Sequence, residues 1–139
     1  MSTRYQGKRA PPPLDQRRLQ ELALRYVGKY ATTRAKLCAY LRRKLRERGW
    51  DGDRQPDLEA LVTRFAELGY VDDASFALTQ ARSLSARGYG KRRLTEKLRV
   101  AGVGEDDSEA AGNHANKEVV AAALRFAERR RIGPFHFSR

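Results

Sequence analysis

At 139 residues, with 40% hydrophobic and 33% charged residues, the chain fits one domain of modest core size and has the balance of a helical protein that faces water. No apolar run approaches the ~20 residues a membrane span needs, and the amino-terminal 13 residues carry no apolar core of a secretory signal. Twenty-nine Lys and Arg against 17 Asp and Glu give a formal net charge of +12, an excess that favours nucleic acid, an acidic protein surface or an anionic membrane face as partner.

Residues 1–13, with Gly7 and Pro11-Pro12-Pro13, have no periodicity and are expected to be a disordered, weakly basic tail outside the fold. Leu19, Leu22, Ala23, Tyr26, Val27 and Tyr30 recur at i, i+3, i+4, i+7, i+8 and i+11, which predicts a first helix over about residues 15–30. Thr32 or Thr33 can cap a second helix whose narrow seam is Leu37, Leu41 and Leu45, flanked by Cys38. Gly49 closes it, with Trp50 placed for a contact over the last turn. After a polar loop at 51–55, Pro56 suits the first turn of a third helix, striped by Leu58, Leu61, Val62, Phe65 and Leu68 and ended by Gly69.

Tyr70 and Val71 fold back over that end, and Asp72 stands where the N-cap of the next helix is expected, with Asp73 in its first turn. Phe76, Ala77, Gln80, Ala81 and Leu84 form a weaker stripe that stops at Gly88-Tyr89-Gly90. Leu94 and Leu98 then mark a helix ending at Gly102, with Val103 beyond it. Residues 41–50 align with 94–103 at a spacing of 53, leucine on leucine and glycine on glycine. This is an internal repeat, each unit a helix, a basic helix and an acidic helix.

The second copy decays where Ala111, His114, Ala115 and Glu118 replace Leu58, Leu61, Val62 and Phe65, and Gly112-Asn113 intervene, so its third helix is expected to be short or distorted. A further helix over about 116–131, with Val119, Val120, Ala123, Leu124 and Ala127 apolar, reads as the opening helix of a third unit. It is followed by the apolar residues of 132–137. The expected fold is all-α: tandem three-helix repeats, about two units and the first helix of a third, elongated or curved. The divisions fall at 1–13, 14–69, 70–112 and 113–139.

The charge is segregated by helix. Residues 34–48 carry Arg34, Lys36, Arg42, Arg43, Lys44, Arg46 and Arg48 against Glu47, net +6, whereas 51–73 are net −5. Residues 87–99 are net +5, and Glu105, Asp106, Asp107 and Glu109 follow them. A cationic helix is often only a solvated face, but its recurrence at matching positions points to a binding surface. The candidates are Arg42, Arg43, Arg46, Arg87, Lys91, Arg92, Arg93, Lys97 and Arg99, with Arg129, Arg130 and Arg131 as a third patch.

The remaining features have structural explanations. Asp72 and Asp73 are accounted for by capping and the helix dipole, without a metal or an acid–base pair. Trp50, Tyr70 and Tyr89 could stack on bases but read more simply as covers over helix ends. The Gly88-Tyr89-Gly90-Lys91 turn lacks the spacing of a P-loop. Cys38 lies in an apolar seam and, alone, forms no internal disulfide; with His114 and His136 it makes too few ligands for a Cys/His site. No catalytic constellation is found, so neither enzyme activity nor a cofactor is expected, and the cysteine usage suggests a reducing cytoplasm.

The junction Gly69-Tyr70-Val71-Asp72-Asp73-Ala74-Ser75-Phe76-Ala77, the turn Gly88-Tyr89-Gly90-Lys91-Arg92-Arg93-Leu94 and the leucine-basic helix to Gly102-Val103 resemble the RecX regulatory proteins. Leu41-Arg42-Arg43-Lys44-Leu45 and Gly49-Trp50 fit the same pattern. The resemblance covers 20–103 well and 116–135 loosely. It implies tandem three-helix units that bind the RecA recombinase filament and restrain its strand exchange and ATP hydrolysis in DNA repair, recombination and the SOS response. The chain departs from the pattern in the weakened third helix of its second repeat and in a third repeat that stops after one helix. The expected partner is a RecA-type filament, with contact to single- or double-stranded DNA, no membrane, and the chain a monomer. The alternative is a helix-turn-helix-like module that binds DNA without a recombinase. An enzyme acting on nucleic acid would need a carboxylate cluster in a cleft.

Overall fold

A computed structural model describes residues 10–130, apart from the side chains of Val119 and Arg130. Among the described residues there are six helices and no strand: α1 (Gln16–Lys29), α2 (Arg34–Arg48), α3 (Leu58–Glu67), α4 (Asp73–Ala86), α5 (Lys91–Val100) and α6 (Glu105–Arg130). The fold is all-α. They fall into two compact units, one ending at Asp72 and the other starting at Asp73, each with its own core.

In the first unit the ends of the helices are set by side chains. Asp15 caps α1 by accepting from the Arg18 N–H at 2.8 Å, Thr33 caps α2 through the Lys36 N–H at 3.1 Å, and Asp57 caps α3 through the Ala60 N–H at 3.0 Å. Thr33 is therefore the cap, and Pro56 lies ahead of Asp57 rather than in the first turn of α3. Leu19, Leu22 and Ala23 of α1, Leu37 and Leu41 of α2, and Leu61, Val62 and Phe65 of α3 converge with Val71 on one core, and Tyr26, Val27, Cys38, Leu45 and Leu58 pack partly buried around it. Leu68, expected on the α3 stripe, is half exposed because it is the C-cap residue and the helix has already ended.

The end of the expected tail is tied to this unit. Leu14 is fully buried and forms an isolated parallel bridge with Trp50: its N–H donates to the Gly49 carbonyl at 2.9 Å, and its carbonyl accepts from the Asp51 N–H at 2.7 Å. Arg48 Nε donates to the Pro12 carbonyl at 3.0 Å and Arg18 Nη1 to that of Pro13 at 3.3 Å. This changes the reading of Trp50. Gly49 has φ 82° but ψ 170°, so the chain leaves α2 extended into the bridge instead of curling over the last turn, and the indole Nε1 donates to the Arg54 carbonyl at 2.7 Å.

The junction after α3 does close as a Schellman turn. The Gly69 N–H donates to Ala66 at 3.0 Å and the Tyr70 N–H to Phe65 at 2.9 Å, with φ of 83° at Gly69, and the Tyr70 ring meets Phe65 edge-on at 5.3 Å. The same pair of bonds ends α4 at Gly88-Tyr89 and α5 at Gly102-Val103.

In the second unit Phe76, Ala77, Ala81 and Leu84 of α4, Leu94 and Leu98 of α5, and Ala111 and Ala115 of α6 form the core with Ala101 and Val103. The expected distortion near Gly112-Asn113 does not occur. The 26 residues of α6 run unbroken through that pair, joining the weakened third helix and the further helix into one. Ala111 and Ala115 pack into the core with Phe76 and Leu84 of α4, Gly112 is buried beside Lys91 of α5, and His114 and Glu118 face out. Glu118 there forms an ion pair with Arg82, its carboxylate 3.4 Å from Nε, and lies 3.6 Å from His114 Nδ1.

Candidate interaction surface

Leucines at positions 37 and 41 of α2, and at 94 and 98 of α5, take one face of each helix into its core, and most of the charged residues on the remaining surface of each are cations. Arg42, Arg43, Arg46, Arg87, Lys91, Arg92, Arg93, Lys97, Arg99 and Arg129 are all exposed. The side chain of Arg130 is not described, and Arg131, with the apolar residues of 132–137, lies outside the described residues. The cations in the last turns of α2 (Arg46, Arg48) and α5 (Lys97, Arg99) also sit where the helix dipole is negative.

Local partners hold some of these groups in place. Arg42 Nη2 lies 3.4 Å from Cys38 Sγ, while Arg43 and Lys44 share Glu47 at 3.6 and 3.5 Å. Arg99 Nη2 reaches Glu96 at 2.6 Å; that hydrogen bond, and then the Glu96 charge, raise the arginine's pKa further and keep it cationic. In the second unit the structure brings Arg87 and Arg93 to Tyr89, whose ring centroid lies 5.2 and 4.6 Å from their guanidinium carbons. Three acids of α6, Glu105, Asp106 and Glu109, line a cavity together with Lys91 and Arg99 of α5, so part of the α5 charge is met within the unit.

Sequence reasoning missed three side chains in the first unit. Tyr26 and Tyr30 of α1 and Tyr40 of α2 form an aromatic file beside Arg43, Arg46 and Lys36, around an open cavity of about 500 Å³. Tyr26 and Tyr30 were absorbed into the α1 stripe by their spacing, and Tyr40 stands between two seam leucines. The available signal was the i, i+4 tyrosine pair ending a helix directly before a cationic one. Among the described residues, no group of three or more His, Cys, Asp or Glu is placed to hold a metal ion.

The comparisons with known proteins bear on this arrangement. Residues 72–111, from the residue before α4 into α6, match the family model for the second three-helix domain of RecX. Over 137 residues the chain is 31% identical to the regulatory protein RecX of Myxococcus xanthus (strain DK1622), covering 93% of this chain and 73% of that protein. The chain belongs to the RecX family. It is similar also to the regulatory protein RecX of Thermobifida fusca (strain YX), at 36% identity across 91% of this chain and 64% of the relative. With that of Mycobacterium sp. (strain JLS) it shares 36% identity over 69% of this chain, and the match spans 51% of the mycobacterial protein. No solved structure matches. The match runs from the Asp72-Asp73 junction through α5 to the buried Ala111 of α6, so His114, Ala115 and Glu118, the other positions where the third helix is weakened, lie beyond it.

Proposed function

We propose that this chain is a non-enzymatic regulator that binds a RecA-type recombinase filament and restrains its ATP hydrolysis and strand exchange in DNA repair. The observation that carries the reading is the exposed cationic circumference of α2 and α5, repeated in two three-helix units of a chain whose relatives are named regulatory proteins RecX. The units proposed to act are 14–69 and 70–112, with 113–139 opening a third. Arg42, Arg43, Arg46, Arg87, Lys91, Arg92, Arg93, Lys97 and Arg99 make the contact, joined by Arg129, Arg130 and Arg131. A bound regulator restrains the filament to the extent that it favours one filament state over another, because a ligand shifts an equilibrium only by its differential affinity. The regulator acts as a monomer in the cytoplasm.

The test is recombinase ATP hydrolysis on single-stranded DNA, with co-sedimentation of the chain and the filament. Inhibition and co-sedimentation are expected for the native chain, and both are lost when Lys91, Arg92 and Arg93 are changed to Glu. Unchanged hydrolysis at saturating protein discards the reading.

A further inference from the structure

We infer that the groove between α1 and α2 is a binding site for single-stranded nucleic acid, in which a base stacks on the tyrosine file and the adjoining phosphates meet Arg43, Arg46 and Lys36. The inference stands on the geometry of the first unit and does not depend on a recombinase partner.

The stacking platform is already assembled. Tyr26 and Tyr40 stack with centroids 4.1 Å apart and planes 17° from parallel, and Tyr30 tilts against Tyr26 at 5.2 Å. Tyr30 is the C-cap residue of α1, and its N–H is tied to the Tyr26 carbonyl at 2.9 Å, so its backbone is fixed while the residue remains 51% exposed. An aromatic ring held this way at the mouth of a cavity offers a face for a base, and base stacking on an aromatic side chain accepts every base.

Cations surround the rings. Lys29 Nζ lies 5.6 Å from the Tyr30 centroid, while Arg43 and Lys44 lie 5.4 and 5.9 Å from that of Tyr40. Lys36, Arg43 and Arg46 line the cavity with the three tyrosines and Ala39, and among the described residues no carboxylate lines it. Glu47 lies 3.6 Å from Arg43, in an exposed pair that competes weakly with a phosphate, and 3.5 Å from the partly buried Lys44. A cavity of about 500 Å³ has the size of a small-ligand pocket and admits one nucleotide. An acidic peptide would use the cations but not the exposed ring. A duplex, whose bases are already stacked, could not present a base to it.

The experiment measures anisotropy of labelled dT12 and its U12 counterpart with the full chain, without recombinase, over a range of salt. Tyr30→Ala is expected to weaken binding about tenfold and Tyr30→Phe to restore it to within about twofold, since stacking needs the ring and not the hydroxyl. Arg46→Gln is expected to lower the slope of log K against log salt by about 0.7, the share of one phosphate contact on a single strand. Tighter binding by one oligomer names the polymer that fills the groove, and equal binding assigns the site to the base and phosphate they share. Thermal melts establish that the variants fold. The inference is overturned if folded Tyr30→Ala binds dT12 and U12 as tightly as the native chain. It is equally overturned if a twelve-residue oligoglutamate or a blunt duplex competes as well as the single strands.

Discussion

Asp15 and Thr33 each hold a helix start with one side-chain oxygen, but they answer differently to solvent conditions. The Arg18 backbone N–H, and beyond it the Arg18 and Arg17 charges, hold the Asp15 carboxyl below its ordinary value of 3.8, against the opposing effect of desolvation. A depressed carboxyl stabilises the folded state above its unfolded pKa, and that contribution is lost as pH falls through the depressed value. Asp15→Asn, which keeps an accepting oxygen but no charge, is therefore expected to melt below the native chain at neutral pH. The difference should vanish once the pH falls well below 3.8, which thermal melts across that range check. Thr33 is buried and uncharged, so Thr33→Ala is expected to cost about 1 kcal/mol at every pH, measured by urea denaturation. Beside it the hydroxyl of Thr32 is buried without a hydrogen-bond partner among the described residues, so Thr32→Val should be neutral or stabilising in the same assay.

At the scale of helices, the leucine seams carry the repeat. Leu41 and Leu98 are both fully buried, and truncating either to Ala is expected to cost about 2–5 kcal/mol, the range for a large core side chain cut to a methyl. Denaturation of Leu41→Ala and Leu98→Ala checks it. Val100, 74% exposed on the same helix as Leu98, is the control: Val100→Ala should change stability by less than about 0.5 kcal/mol. These seams were legible because Leu37, Leu41, Leu94 and Leu98 recur at helical spacing, and the glycines that end α3, α4 and α5 were legible because a left-handed turn needs them. Three features were not. Leu14 follows three prolines and is buried through a bridge to residue 50, a pairing that no local period encodes. Trp50 looked like a helix cover because the ψ of Gly49, which sends the chain outward, leaves no trace in the residue types. The continuity of α6 was hidden because Gly112-Asn113 is a poor helical pair taken alone, and its cost is offset by the burial of Ala111 and Ala115 on either side of it.

For the whole molecule, the composition pointed to a polyanionic partner and the repeat pointed to three-helix units, while the tyrosine groove was invisible until two helices were set side by side. Family membership rests on coverage: one relative is matched over 73% of its length, others over 64% and 51%. If filament contact uses the α5 cations, raising salt should weaken co-sedimentation of the native chain steeply and that of an Arg92→Gln/Arg93→Gln variant less so. Equal salt dependence of the two would remove those arginines from the contact.

The chain contains one tryptophan, and it is pinned in the first unit between the Leu14 bridge and the Arg54 carbonyl. That placement makes the indole a native optical probe of one unit, because its emission follows the opening of the 51–55 loop and of α1 and α2. Far-ultraviolet ellipticity, by contrast, averages the helices of both units. Recording both signals through one titration with denaturant gives the melting order of the two repeats without any label being introduced.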